Sequence, residues 1–403
     1  MKTASSSFTA VLRPEKLQGQ FVSCLAYREP PSRYFFADTK VHFSRIFHKI
    51  QPSPDTGSRT GIVFAARDFA CGQEMYTQLK DRLRYNPPRS ETEKLTLAEK
   101  FEHQRQFRKQ KADLRHSLLL QVGADHVIPN APNGLTPSTL LDAVGKRQDD
   151  YLISFRDLQE ISACQEITNR GGFPIKELGG KMVQASLGVF WPRPDVTRLL
   201  DYAPLSEKHK EHAYDVGTGS GVLSLILAKR GVKKITATEV EMRAIKCAQA
   251  NVDLFGYQNQ IEVVKADLFP KTGGSGMDNM KKPTLIVCNP PWLPGNPSST
   301  VERAVFDRDL EMLTGLLTKL PKKLRQPDGV AWLLYSNLVE LLGFRTRRQL
   351  LDLFAQAKLD VVDQMETQTL HKRSMTTKPG GDLFAELRKD EKISLWVLKP
   401  KPV

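Results

Sequence analysis

Apolar positions in the second half of the chain fall into short blocks of strand length, separated by longer stretches with helical spacing. Residues 213–216 read as a strand followed by a helix over 222–230, and 235–238 precede a helix over 241–255. Residues 261–265, 284–288 and 330–335 read as further strands, with helices expected over 301–320 and 345–358. Alternation at this spacing requires right-handed crossovers, so it predicts a largely parallel sheet with helices on both faces. The last two apolar runs, 359–362 and 393–398, have no helix between them, and only antiparallel neighbours join without a crossover. The expected class is α/β, a doubly wound seven-stranded sheet with a C-terminal antiparallel hairpin, in a domain spanning 151–403.

The first half is less regular. Residues 61–66 (GIVFAA) look like a buried strand, 73–83 like a helix, and 90–120 like one long amphipathic helix. In that helix Ser90 and Glu93 have capping-box spacing, and Leu97, Phe101, Leu114 and Leu118 mark the apolar stripe. Its basic face, with Arg105, Arg108, Lys109, Lys111 and Arg115, suits RNA or a ribosome-like surface, and equally suits plain solvation. Residues 128–137, rich in Pro, Asn and Gly, form an expected loop. Together these features predict an α+β N-terminal domain over 1–150 with an accessory or acceptor-recognition role.

Composition narrows the class. The 403 residues include 59 Lys and Arg against 45 Asp and Glu, a formal charge of +14 with a pI near 9.5. That excess attracts phosphate and acidic surfaces. A 40% hydrophobic content and a mean hydropathy of −0.38 fit a folded globular chain, and no run approaches the ~18 apolar residues of a membrane span. Five scattered cysteines without a C-x-x-C pair, and eight histidines without paired ligand spacing, predict neither a disulfide framework nor a metal site. A reducing, cytoplasmic compartment is expected. The opening residues MKTASSSFTAVLRP are hydroxyl-rich with Lys2, Arg13 and no acid, which makes organellar import the alternative.

The first strand of the regular half runs into Asp215-Val216-Gly217-Thr218-Gly219-Ser220-Gly221 and then directly into a helix. Glycines at a strand end allow a tight turn and close approach of a ligand. The spacing is not the G-x-G-x-x-G of a dinucleotide site, and an acid precedes the first Gly; its charge would repel a pyrophosphate but hold an ammonium. The second strand ends at Glu239, placed to accept two ribose hydroxyls. The third leads to Asp267, an acceptor for an adenine amine, with Leu268 or Phe269 over the ring. A ligand with an ammonium, a ribose, an adenine and no phosphate meets all three demands: S-adenosylmethionine. Asp215, Gly217, Thr218, Gly219, Gly221, Glu239, Asp267, Leu268 and Asn289 are the expected binding residues.

The fourth strand ends in Asn289-Pro290-Pro291-Trp292-Leu293-Pro294. Two prolines stiffen the chain and withdraw two N–H donors, leaving carbonyls free. The Asn289 amide oxygen and the Pro290 carbonyl can take both hydrogens of a planar NH2 group, with Trp292 stacked on its face. Such a nitrogen is a weak nucleophile, and orientation with stabilisation of its developing positive charge favours attack on a sulfonium methyl. The proton can leave to water afterwards. The expected catalytic residues are Asn289, Pro290, Pro291 and Trp292. A second copy, Asn86-Pro87-Pro88-Arg89, follows polar residues and reads as a helix-ending turn. Upstream, Trp191-Pro192-Arg193-Pro194-Asp195 opens a helix, with Trp191, Arg193 and Asp195 as acceptor-pocket candidates.

These segments in this order resemble the class I SAM-dependent methyltransferases of the small-domain, NPPY group, and most of all the release-factor and ribosomal-protein glutamine N5-methyltransferases. The resemblance covers residues 188–300 by motif and 300–403 by topology. It implies a Rossmann-like methyltransferase sheet, SAM as cofactor, and a macromolecular acceptor: a translation-factor or ribosomal-protein glutamine. Trp292 departs from the group's usual Tyr, and residues 365–392 enlarge the last hairpin, bringing Lys372, Arg373 and Lys378 near the acceptor. The +14 charge and the basic helix favour the alternative, an exocyclic base amine in RNA or DNA. From another class, a catalytically silent SAM-binding accessory protein has the same fold. No membrane partner is expected.

Overall fold

The computed structural model describes residues 20–22, 33–37, 62–66, 68–82, 94–270, 281–297, 301–369 and 387–402. The opening segment, the Ser90–Glu93 pair, the Asn86-Pro87-Pro88-Arg89 turn and Lys372, Arg373 and Lys378 lie outside the described residues. The chain divides into two compact units, Met1–Leu95 with Glu99–Glu166, and Thr96–Ala98 with Ile167–Val403. The division falls later than the expected 150/151 because residues 151–154 pair into the first unit's sheet.

That first sheet has the order β1-β5-β4-β3-β2, with β1 Gln20–Val22, β2 Arg33–Ala37, β3 Ile62–Ala66, β4 Leu118–Val122 and β5 Tyr151–Ser154. β3 is parallel to β2 and β4, β1 is parallel to β5, and β4 is antiparallel to β5. Helix α1, Phe69–Arg82, buries Met75, Tyr76 and Leu79, and Phe155 packs against Phe69 and Tyr76 with ring centroids 5.0 and 5.6 Å away. The long basic helix is shorter than expected: α2 spans Leu97–His116, and the chain then enters β4. Leu118, Leu119 and Leu120 are all buried, which a central strand covered on both faces achieves at successive positions and a one-sided helix does not. Helices α3, Pro137–Val144, and α4, Phe155–Asn169, complete the described part of this region.

The second unit is built on seven strands: β6 Ala213–Val216, β7 Ile235–Glu239, β8 Ile261–Lys265, β9 Leu285–Cys288, β10 Val330–Ser336, β11 Leu359–Gln368 and β12 Lys392–Pro400. Their order is β8-β7-β6-β9-β10-β12-β11, parallel through β10 and antiparallel at β12 and β11. This is the doubly wound sheet and closing hairpin that the hydrophobic pattern predicts. The order reverses at β6 and β9, so the crevice beyond their carboxyl ends is where an open sheet of this kind binds ligands.

Helices α5 Pro194–Tyr202, α6 Val222–Lys229 and α7 Met242–Phe255 cover one face, packing Leu200, Ile226 and Val252 against Ile235, Val287 and Trp332. Helices α8 Glu311–Lys323 and α9 Arg347–Gln356 cover the other, packing Leu316 and Phe354 against Ile286, Leu333 and Trp396. This second cluster takes in no residue of β7 or β8, whose outer face carries no described helix.

Two expected elements change shape. Residues 301–320 are not one helix: a 3-10 turn at Val301–Ala304 and a two-residue strand, Phe306–Asp307, precede α8. Asp307 causes the late start, because its carboxylate accepts from the backbone N–H groups of Met312 and Leu313, both at 3.0 Å. Residues 365–368, expected in an enlarged connection, belong to β11 and pair with β12. Among the described residues no helix is long and apolar enough to cross a membrane, and no group of three or more His, Cys, Asp or Glu has metal-binding geometry.

Phe354 is buried against Trp396, with ring centroids 5.5 Å apart. Phe354→Ala is expected to lower the unfolding free energy of the second unit by about 3–5 kcal/mol, as read by chemical denaturation.

Candidate active site

The glycine turn after β6 is held from both sides. The N–H groups of Gly217 and Thr218 donate to the Thr238 carbonyl of β7 at 2.9 and 3.0 Å. Gly219 and Gly221 take φ of +57° and +83°, the left-handed region where side chains strain the backbone. A Cβ on Gly221 would stand 3.2 Å from the Ala248 backbone, and one on Gly219 would stand 3.3 Å from the Phe190 carbonyl. A side chain at either glycine would therefore be crowded as well as strained, and the Phe190 carbonyl lies against the turn.

Asp215 is 0% exposed. Its Oδ2 accepts from the Thr218 and Ser224 hydroxyls, each at 2.7 Å, while Oδ1 is buried without a hydrogen-bond partner. Burial holds the carboxyl pKa above its usual value, and the two hydroxyls offset only part of that rise. An unsatisfied buried carboxylate oxygen costs free energy until a donor or cation meets it.

Glu239 stands at the tip of β7 with Oε2 accepting from Gly219 N–H at 3.1 Å and Oε1 from Val240 and Glu241 N–H at 2.8 and 3.1 Å. Asp267 is exposed at the tip of β8, and Leu268 beside it is half-buried with φ +61°. The Leu268 carbonyl accepts from the Thr238 hydroxyl at 2.7 Å. Thr238 thus ties the glycine turn and the 267–268 corner to one residue. The expected acids and glycines converge on the carboxyl ends of three neighbouring strands, and an ammonium beside Asp215 would supply the partner that Oδ1 lacks, so the residues present fit S-adenosylmethionine.

Asn289 follows the buried end of β9, and its Oδ1 is also buried without a hydrogen-bond partner. Pro290 and Pro291 are buried behind it. Trp292 is fastened at two points: its indole N–H donates to the Leu334 carbonyl at 3.2 Å, and its own carbonyl accepts from the Tyr335 hydroxyl at 3.1 Å. The Arg193 guanidinium lies 5.7 Å from the Trp292 ring centroid, where a cation–π contact forms. Tyr335 accepts in turn from Arg345 at 2.6 Å, and Arg345 is 7% exposed.

Of the three acceptor-pocket candidates, two are engaged with protein. Arg193 donates to Asp195 at 3.2 Å and to Glu391 at 2.9 Å, and Ser336 also donates to Glu391 at 2.8 Å. Asp195 and Glu391 are buried, so this network clamps the start of α5 to the residue preceding β12. Trp191 is 41% exposed and stacks on Phe173 at 4.0 Å, leaving it as the candidate with an open surface.

Motif reading misses Asn251, Glu391, Tyr335 and Arg345. Asn251, fully buried on α7, donates to the Ser220 carbonyl at 2.9 Å and accepts from Gln184 N–H at 2.7 Å, bracing the glycine turn from behind. A polar residue on the buried face of an amphipathic helix is the one signal that marks it.

Comparison with known proteins places part of the chain among methyltransferase relatives. Residues 182–314 match the model of the methyltransferase small domain. The chain is similar to the tRNA1(Val) (adenine(37)-N6)-methyltransferase of Shewanella loihica, 30% identical over 137 residues, 34% of this chain and 56% of that protein. It is also similar to the release factor glutamine methyltransferase of Chlorobaculum tepidum, 32% identical over 159 residues, 36% of this chain and 52% of that protein. The chain thus spans about half the length of these curated relatives.

Asp215→Asn separates charge from shape. The amide oxygen can keep the seat between Thr218 and Ser224, turning its NH2 toward the space that Oδ1 faces. A charged hydrogen bond of about 1.5–3 kcal/mol is lost, so donor affinity should fall about 10–100-fold in calorimetric titration while the thermal midpoint stays near wild type.

Proposed function

We propose that this chain, whose residues 182–314 match the methyltransferase small-domain model, moves a methyl group from S-adenosylmethionine to a planar nitrogen of a macromolecule. The observation that carries the reading is the Asn289 amide oxygen, buried and unpaired, backed by two buried prolines and set one strand from the equally unpaired Asp215 Oδ1. When bound, the donor supplies a methyl carbon made electrophilic by its sulfonium. Everything else is the work of the chain. Asp215 holds the ammonium, Glu239 the ribose and Asp267 the adenine, which fixes the sulfonium in place. Asn289 and the Pro290 carbonyl accept both N–H bonds of the incoming nitrogen, orient its face and stabilise the positive charge that forms there. The fastening of Trp292 to Leu334 and Tyr335 keeps this hook from drifting.

The hook takes a glutamine amide and an exocyclic adenine amine alike, since each presents a planar NH2 with two donors. The similarity to a release factor glutamine methyltransferase supports the first acceptor and the similarity to a tRNA adenine methyltransferase supports the second. Discrimination must come from surfaces that hold the rest of the acceptor.

Purified protein incubated with a methyl-labelled donor and cell extract should transfer label to macromolecules, with nuclease or protease treatment then reporting the acceptor class. Asn289→Ala should cut transfer at least about 100-fold, the scale of losing one preorganised acceptor, while donor affinity is retained. Undiminished transfer by that variant would remove Asn289 from the mechanism.

A further inference from the structure

We propose that the amino-terminal edge of the second unit's sheet, on the face beside β7 and β8 that no helix covers among the described residues, binds the phosphodiester backbone of an RNA acceptor. The proposal rests on the methyl-transfer reading and adds the class of the acceptor.

The face carries a cleft of about 650 Å³ lined by Tyr214, Thr236 and Val264 along the strands and by Lys234, Lys281 and Arg325 at their starts. Lys234 directly precedes β7, Lys281 lies shortly before β9, and Arg325 sits between α8 and β10. All three therefore stand at the edge opposite the donor-binding tips. Lys282 adjoins them, and Lys319 and Lys323 extend the cluster along the last turns of α8. None of these six cations forms an ion pair among the described residues.

Two acids also line the cleft, Glu211 and Glu262. Glu211 is paired with Lys233 at 3.3 Å, so Glu262 is left against the cluster. The crowding of like charge is registered by its neighbours. Burial, Lys234 and Arg325 push the His212 imidazole down to about 4, and burial with Lys319 and Lys282 lowers the Lys323 ammonium. Lys323 rests over the Phe269 ring at 5.6 Å, with Lys319 and Lys282 repelling it, and the other five cations have no ion-pair partner among the described residues; a polyanion relieves such crowding, and each neutralised phosphate also releases a condensed counterion.

The shape favours an extended polyanion over a small phosphate. The cations are exposed or half-buried and distributed along an open edge, with no buried cradle among them. Strands of four or five residues at about 3.3 Å each separate this edge from the donor by about 15 Å. A folded RNA can lay backbone on one edge and present a base at the other.

The test is fluorescence anisotropy of the full chain with an end-labelled, in vitro transcribed tRNA over a series of salt concentrations, with poly-glutamate as the competing polyanion. Wild type should bind the RNA with a steep log–log salt slope, and the K234A/K281A/R325A variant should bind at least 10-fold more weakly with a slope smaller by about two to three. A second variant, K282A/K319A/K323A, removes surface charge away from the strands and should weaken binding in the same direction, so a folding defect in the first does not decide the matter. Donor affinity, measured on the same samples, should be unchanged. RNA affinity and slope that are unaltered in both variants overturn the proposal, as does equal competition by poly-glutamate, which would assign the edge to an acidic protein. Loss of donor binding by the wild type would instead overturn the methyl-transfer reading and leave the RNA measurement standing.

Discussion

A carboxylate buried away from solvent organises the second unit. Asp215 sits at the end of β6 with one oxygen held by two hydroxyls and the other left bare in the interior. The arrangement is stable because Thr218 and Ser224 compensate half of the buried group, and it is receptive because the other half is uncompensated. The glycine turn, its bonds to Thr238 and the bracing by Asn251 hold the backbone that carries Thr218 and Ser224 in register with that carboxylate. Without the turn, the acid would be an interior charge with no means of offsetting its desolvation.

The same logic recurs one strand away at Asn289, where a bare amide oxygen is kept from collapsing onto its own chain by two prolines that offer no N–H. The indole of Trp292 then bolts the loop to β10. Here Trp serves in a way that a phenol would not, because the bond to the Leu334 carbonyl comes from an indole N–H placed along the ring edge. The Arg193–Glu391 clamp secures a neighbouring segment from the opposite end of the chain.

What is legible from residues alone follows from locality. The parallel sheet, the closing hairpin, the Asp215–Gly221 turn and the Asn289–Trp292 hook are each written in contiguous text, where period and spacing report geometry directly. Glu391 and Arg193 are 198 positions apart, and nothing in either neighbourhood announces the other. Asp307 looks like any acid inside a helical pattern until its carboxylate is seen capping α8. Leu118–Val122 reads as the end of a helix because a continuous apolar run carries no period, and the partners that make it a strand are supplied by distant segments. Arg193 and Asp195 look available for an acceptor because their sequence context shows charge and not the buried partner that absorbs it.

Thr238 holds two strand-end loops at once: its carbonyl takes the glycine turn, and its hydroxyl takes the corner at Leu268. One residue therefore acts as a ruler. The two loops it joins cannot be retuned separately, so a donor lying across them, as proposed, must keep its length even where the surfaces that choose an acceptor are free to diverge.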